Sequence, residues 1–306
     1  MVTQLHSKSY LTTQFLARYF LSIDVGDKIK TVSDFLAEFD SSRGTIQNSI
    51  EFLRESGAIE FTVHGKMGKV LKAKNIPLLM KYADINFFVG VMPLPYSKMY
   101  EGLSTGIIEV MTRNLKIATS LAFMRGALKR IELVKEGRYD FAIVSKFASN
   151  EYLKNNPDSI EVAIDFGEES FLKGHILIFA DSTKNNIEQG MKVAIDYDSI
   201  DQSKLTLRAV GDLEVELVPL TYSQFAERLS DKTIDAAVWN EDEALRSLKE
   251  FKKIPCNQEL KENTVAVLIV DKKRKELVKI LQEAINISEI LEIQNQVAID
   301  ERLPQY

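Results

Sequence analysis

Between residues 29 and 74 the apolar positions change period twice. Phe35, Leu36 and Phe39 fall at helical spacing. Thr31 can cap that helix, with Asp34 three residues on as a capping-box acid. Asp40-Ser41-Ser42 stops it, and Ser42 can cap a second helix whose Ile46, Ile50 and Leu53 recur at four and three. Arg43, Thr45, Gln47 and Asn48 stand near the start of this second helix, off its apolar face, and Gly57 ends it. Beyond Gly57, Ile59, Phe61 and Val63 alternate with Glu60, Thr62 and His64, which is the period of a strand. A turn with two glycines and two lysines, residues 64–69, leads into a returning strand over 70–74. Ahead of all this, Leu11, Phe15, Leu16, Tyr19, Phe20 and Ile23 predict an opening helix capped by Ser9.

From residue 84 onward the pattern becomes strand then helix, repeated. The near-continuous apolar run 85–92 suits a strand buried on both faces, and Pro93-Leu94-Pro95 breaks it before a helix over 96–113. Further strands are expected at 115–123, 139–145 and 176–180, with a helix over 125–136. A polar crossing at 181–190 opens a second set: strands at 191–195, 214–219 and 234–239, helices at 199–210 and 222–229. The chain returns with a strand at 264–270 and closing helices at 273–284 and 288–300. Such alternation predicts two α/β lobes with mostly parallel sheets. The division expected is therefore 1–75 for the helical module with its hairpin and 76–83 for a connector, where Pro77 can start a short helix. Residues 84–306 form a two-lobed domain, with 84–180 and 262–306 in the first lobe and 181–261 in the second.

The 306-residue chain carries a net charge of −5, which changes meaning once divided by segment. Residues 1–75 hold ten Lys or Arg against eight Asp or Glu, and 41–75 hold six against three. Positive charge is gathered at the front, while the larger part is acidic and repels a duplex. The single cysteine, Cys256, excludes an intramolecular disulfide and a multi-cysteine zinc site, and points to the cytoplasm. Met1-Val2-Thr3-Gln4 is not followed by an apolar run, so no signal peptide is expected, and no run is long enough to cross a bilayer.

The helix, Ser42-Arg43 pair and Thr45 resemble the winged helix of GntR-type transcription regulators, with Lys30, Ser33 and Gln47 where that family carries Pro or Arg. The two sequential lobes resemble the type 2 periplasmic-binding-protein fold, whose lobes clamp a ligand. Met92-Pro93-Leu94-Pro95-Tyr96, Tyr100-Glu101-Gly102-Leu103, Met124-Arg125-Gly126-Ala127 and residues 139–145 are similar to the YhfZ group of regulators along essentially the whole chain. The resemblance implies a bacterial cytoplasmic transcription factor with an effector domain.

Candidate chemistry follows the same division. At the head of the second helix Arg43 suits guanine, Gln47 and Asn48 suit adenine, and Thr31, Ser42 and Thr45 complete the face; the alternative is a solvated helix side. Lys66 and Lys69 are the best phosphate contacts on the hairpin, with Lys72 and Lys74 weaker. Open α/β sheets bind ligands at strand carboxyl ends. Pro95, Tyr96, Ser97 and Tyr100 follow the first strand, Arg125 and Gly126 the second, and Ser145 the third. Arg125 either anchors an anion through its fork or pairs with Glu101 or Asp140. Asp196, Ser199 and Asn240 occupy equivalent ends in the other lobe, His175 lies near the crossing, and Trp239 reads as core.

His6, His64 and His175 are scattered, so no metal spacing or Cys-His pair is found, and Gly102 with Gly106 lacks the length and lysine of a phosphate loop. The adjacent Asp196 and Asp198 suit a cap or ligand contact better than an acid-base couple. No cofactor or metal is expected. The leading expectation is a homodimeric regulator that binds double-stranded DNA and a small anionic effector, away from membranes. The alternatives are an enzyme using Arg125, Asp196 and His175 on an anionic small molecule, and a sensor-like domain that only dimerises.

Overall fold

The computed structural model describes residues 7–63, 68–242, 248, 251–257 and 260–305. The chain divides into two compact units. One comprises Met1–Phe88, Met111–Ala118 and Arg274–Ala284; the other comprises Val89–Val110, Thr119–Lys273 and Ile285–Tyr306.

In the first unit the opening helix α1 spans Lys8–Ser22 and buries Leu16, Ala17, Phe20 and Leu21. Its cap is Ser7, two residues ahead of the Ser9 expected: Ser7 Oγ accepts from Tyr10 N at 3.2 Å, and Ser9 lies inside the helix. Helix α2, Val32–Glu38, starts with the full capping box of Thr31 and Asp34. The Thr31 hydrogen bonds hold the Asp34 carboxyl below the usual carboxylate range. Helix α3, Arg43–Glu55, is capped by Ser42 and buries Ile46, Ile50 and Leu53. It ends where Gly57 takes φ +75°, a left-handed conformation that closes the last turn. Phe35 sets its ring edge-on to Phe15 and Tyr19, tying α2 to α1. Strands β1, Ile59–Val63, and β2, Lys69–Lys74, pair antiparallel as the wing. Residues 26–29 add a third, unforeseen edge: Leu71 N donates to Asp27 O, Ile29 N to Lys69 O, and Lys28 bridges Val70.

A short helix α4, Ile76–Tyr82, with Pro77 in its first turn, packs on α1. So does a helix from far along the chain, Lys275–Ala284 (α10, numbered in chain order), which buries Leu277, Val278, Ile280 and Leu281. Three ion pairs frame this contact: Arg18 with Glu276 at 3.4 Å, Asp24 with Lys279 at 2.7 Å, and Lys74 with Glu283 at 3.5 Å. Sequence pattern gives this helix to the first lobe, because an amphipathic stripe announces that a face is covered without saying by what.

Largely in the second unit, β3, Phe87–Met92, is followed by α5, Lys98–Leu115, whose last residues fall in the first; β4, Ala118–Phe123; α6, Ala127–Lys135; and β5, Phe141–Ser145. Then come α7, Lys146–Asn155, and β6, Ile160–Asp165, neither of which the sequence pattern revealed. Strand β7, His175–Phe179, precedes β8, Lys192–Ile195; α8, Ile200–Val210; β9, Glu216–Pro219; α9, Phe225–Ser230; and β10, Ala236–Asn240. Strand β11, Lys252–Pro255, was also unforeseen. The chain then returns through β12, Ala266–Asp271, with α11, Ile287–Ala298, near its end. One sheet has the order β4-β3-β5-β12-β6 and the other β11-β7-β10-β8-β9.

Two expectations are corrected. Strand β7 pairs with β10 and β11, so it belongs to the second sheet and the chain crosses before residue 175, not at 181–190. Five consecutive buried residues cannot say which sheet they join. Nor are the sheets mostly parallel. β3 with β5, and β8 with β9 and β10, run parallel, but β12 lies antiparallel to both β5 and β6, and β7 to both its neighbours. Both exceptions are the strands that carry the chain between lobes, which enter their sheets from the opposite end. Trp239 is buried as expected, edge-on to Phe225. Gly102 and Gly106 are not a phosphate loop but the close crossing of α5 and α11. A Cβ on Gly102 would lie 2.6 Å from Gln294 O, and one on Gly106 2.9 Å from Ile290 O.

Candidate functional site

The N-terminal face is built by two caps. Ser42 Oγ accepts from Thr45 N at 3.1 Å and sits 2.8 Å from Thr45 Oγ1, which fixes the head of α3. Arg43, Gln47 and Asn48 are exposed there, and Arg43 Nη2 donates to Ser33 Oγ at 3.3 Å. Thr31 is spent on capping α2. Lys69 is exposed beside the wing, its ammonium 4.4 Å from the Phe61 ring centre. Lys66 lies outside the described residues. Lys72 pairs with Glu60 at 3.2 Å. The Lys74 ammonium is withdrawn, donating to Ile23 O at 3.0 Å. Sequence reasoning missed Lys28, exposed on the third edge of the wing, whose Cε lies 3.3 Å from where a Cβ on Gly68 would stand. No apolar period marks a one-bridge strand, so the signal was absent.

The second site is a cleft within the two-sheet unit, leaving about 120 Å³ for the centres of water molecules. That is several times the roughly 10–15 Å³ needed for one water, and suits a small organic ligand. Strand ends supply its walls: Tyr96 and Tyr100 after β3, Arg125 and Gly126 after β4, Asp196 and Ser199 after β8. Asn240 ends β10, and His175 begins the antiparallel β7 on the same rim. Three expected residues are not among the lining. Pro95 is partly exposed outside it, while Ser97 is buried and Tyr100 N donates to its hydroxyl at 3.4 Å. Ser145 caps α7 and donates to Asp201 Oδ2 at 2.7 Å, so its hydroxyl is used inside the protein.

The charges in the cleft are unequally matched. Arg125 Nη2 donates to Asp196 Oδ2 at 2.5 Å, so its carboxylate partner is neither Glu101 nor Asp140. Asp201 takes Ser145 Oγ on one oxygen and Asn263 Nδ2 at 2.7 Å on the other. Burial nonetheless raises its pKa, with those hydrogen bonds and then the nearby His175 and Arg130 pulling the other way.

Arg130 differs from both. Only 4% exposed, it lines the cleft from the first turn of α6, where a cation opposes the helix dipole. Its Nε donates to Ile143 O at 3.1 Å and its Nη1 to Met124 O at 2.7 Å. Among the described residues it makes no ion pair, and its Nη2 makes no hydrogen bond. Burial lowers its pKa to about 10, which leaves it charged at neutral pH. At the start of the same helix Gly126 takes φ +82°, and no side chain caps the first N–H groups. A Cβ at Gly126 would also stand 3.3 Å from Asp198 O, so glycine is required twice over. Arg130 feels the Asp201 carboxylate at longer range, but oriented amides and a guanidinium with Nη2 unused on one helix end make an anion-binding geometry.

Arg130, Asp198, Asp201 and Gln202 were not among the residues expected to bind. Gln202 ties α8 down, accepting from Asp196 N at 2.7 Å and donating to Thr206 Oγ1 at 2.9 Å. Among the described residues no group of three or more His, Cys, Asp or Glu side chains is arranged to hold a metal ion, and no helix is long and apolar enough to cross a membrane.

Comparison with known proteins agrees with this anatomy. Residues 24–71 match a helix-turn-helix domain family and residues 75–306 the YhfZ C-terminal domain. The chain is 30% identical over 294 residues to YhfZ of Escherichia coli (strain K12), covering 95% of each, and that relative is itself described as uncharacterized. The crystal structure of YhfZ from Shigella flexneri superposes with a TM-score of 0.62 at 30% identity, over 75% of this chain and 97% of that one. The periplasmic VFT2 domain of BvgS from Bordetella pertussis matches with a TM-score of 0.51 at 14% identity, over 73% and 98%. At that identity it speaks for the fold alone, a two-lobed binding-protein architecture. A helix-turn-helix domain ahead of a YhfZ C-terminal domain is the make-up of a regulator and not of an enzyme. This chain belongs to the YhfZ family.

Proposed function

We propose that this protein is a cytoplasmic, homodimeric transcription regulator with a GntR-like winged helix in residues 1–75, a connector at 76–83, and a cleft in 84–306 that binds a small anionic effector. The observation that carries the effector reading is Arg130. This buried cation has no carboxylate in ion-pair contact, only the longer-range field of Asp201 and two carbonyl acceptors, so an arriving anion would restore part of its lost hydration. Dimerisation follows from the size of the reading head, since one short recognition helix spans too few base pairs to select a site alone. Effector binding alters DNA binding only if the ligand prefers one state of the regulator over another.

The test is binding of the whole chain to the duplex upstream of its own gene, by footprinting and by anisotropy as salt is raised. Affinity should fall steeply with salt, and absence of binding even at low salt counts against the reading. Arg43→Ala should weaken specific binding about tenfold, with relaxed preference at one base pair. Lys28→Ala should weaken binding to all sequences alike and flatten the salt dependence by about one phosphate contact. Lys72→Ala, whose ammonium already faces Glu60, should change little.

A further inference from the structure

We infer that the effector is dipolar, a small molecule carrying a carboxylate at one end and an ammonium or similar cation at the other, held between Arg130 and Asp198. The inference rests on the reading of the cleft as an effector site and narrows the chemistry admitted there.

The charge census of the cleft supports it. Arg125 and Asp196 neutralise each other across the lobes, and Asp196 also accepts from Asp198 N at 3.1 Å. Both Asp201 oxygens already accept hydrogen bonds from Ser145 and Asn263. Asp201 acts on Arg130 at longer range, but among the cleft's Arg and Asp side chains two keep hydrogen-bonding capacity to spare, one of each sign. Arg130 keeps the N–H groups of Nη2 for a ligand. The Asp198 carboxylate lines the cleft, is exposed, and has no hydrogen-bond or ion-pair partner among the described residues.

A dianion such as phosphate would satisfy Arg130 but bring two negative charges up to Asp198 and the enclosed Asp201. A simple cation would meet Asp198 but push against Arg130, which cannot shed its proton at neutral pH. A molecule with one charge of each sign meets both, and a planar carboxylate matches two oxygens to the fork of a guanidinium. Tyr96, Tyr100, Phe171 and Leu172 supply an apolar surface for a short carbon body.

The experiment is a thermal-shift and calorimetric screen of the whole chain with amino acids and their deaminated counterparts in matched pairs, such as alanine with propionate and 4-aminobutyrate with butyrate. At least one dipolar compound should bind about tenfold or more tightly than its deaminated partner. Asp198→Asn should erase that difference and leave carboxylate binding unchanged, while Arg130→Gln should weaken both members of the pair. If the deaminated acid or inorganic phosphate binds as well as or better than every dipolar compound, the proposal is overturned and the anionic reading stands. If Asp198→Asn leaves the preference intact, the assignment of Asp198 is overturned. Binding that is indifferent to Arg130→Gln, or no binding by either class, overturns both.

Discussion

Arg130→Gln is expected to lose effector affinity by about a hundredfold or more while the chain still folds. The size of the effect comes from what the native side chain does when the ligand is present. A charge-assisted bond made in a water-poor place is worth several times its surface equivalent, and truncating one member of such a pair costs about 2–5 kcal/mol. Stability should fall as well, by about 1–3 kcal/mol at most, because Ile143 O and Met124 O lose the guanidinium that spans both of them, while removal of a buried charge offsets part of that loss. Arg130→Lys separates the two contributions: it keeps the charge and loses the fork, so stability should recover further than affinity. Calorimetric titration beside urea unfolding reads both quantities. An unchanged dissociation constant in a well-folded Arg130→Gln protein would remove the cleft's anion anchor from the account.

Gly102→Val is expected to be the most damaging change away from any ligand, costing about 3 kcal/mol or more. The valine Cβ would arrive 2.6 Å from Gln294 O and 2.8 Å from Gln294 Cα, and these are backbone atoms of α11 that cannot rotate aside. The helices would have to part, and Gln294 would then lose its bonds to Met99 O at 3.0 Å and Ser170 O at 2.7 Å. Gly44→Ala is the contrasting case. A Cβ there meets nothing nearer than Ser42 Oγ at 4.0 Å, and alanine favours the helix. It should stabilise by up to about 1 kcal/mol. Urea midpoints of the two variants should therefore move in opposite directions; a neutral Gly102→Val would mean that α5 and α11 do not cross so closely.

What could be read from the chain and what could not divide along physical lines. The caps Thr31 and Ser42 and the stop at Gly57 are local, each needing only a few neighbouring residues, and the helices they delimit lie where spacing puts them. Strand ends after β3, β4 and β8 are local too, which is why Tyr96, Arg125 and Asp196 sit on the cleft. Long-range pairing is another matter. Strand β7 carries no mark of the sheet it joins, and the short β11 is held by its pairing with β7. Arg130 stands at the apolar spacing of its helix, with Ala127, Ile131 and Val134 at one face, so its burial was legible, but not what its guanidinium would meet there. The acceptors Ile143 O and Met124 O come from β5 and the loop after β4, long-range partners that the spacing does not name. The three serines diverge for the same reason: Ser145 and Ser97 are drawn into the protein's own hydrogen bonds, and Ser199, though on the cleft, also caps α8.

The docking of Lys275–Ala284 onto α1 has a practical outcome for anyone dissecting this regulator. Its reading head is not a portable module that ends at the wing. Excising residues 1–75 would strip a greasy flank from α1 and leave Arg18, Asp24 and Lys74 without the charged groups that now oppose them. Footprints gathered on such a stump would report a damaged object, whereas the intact chain keeps this wall in place.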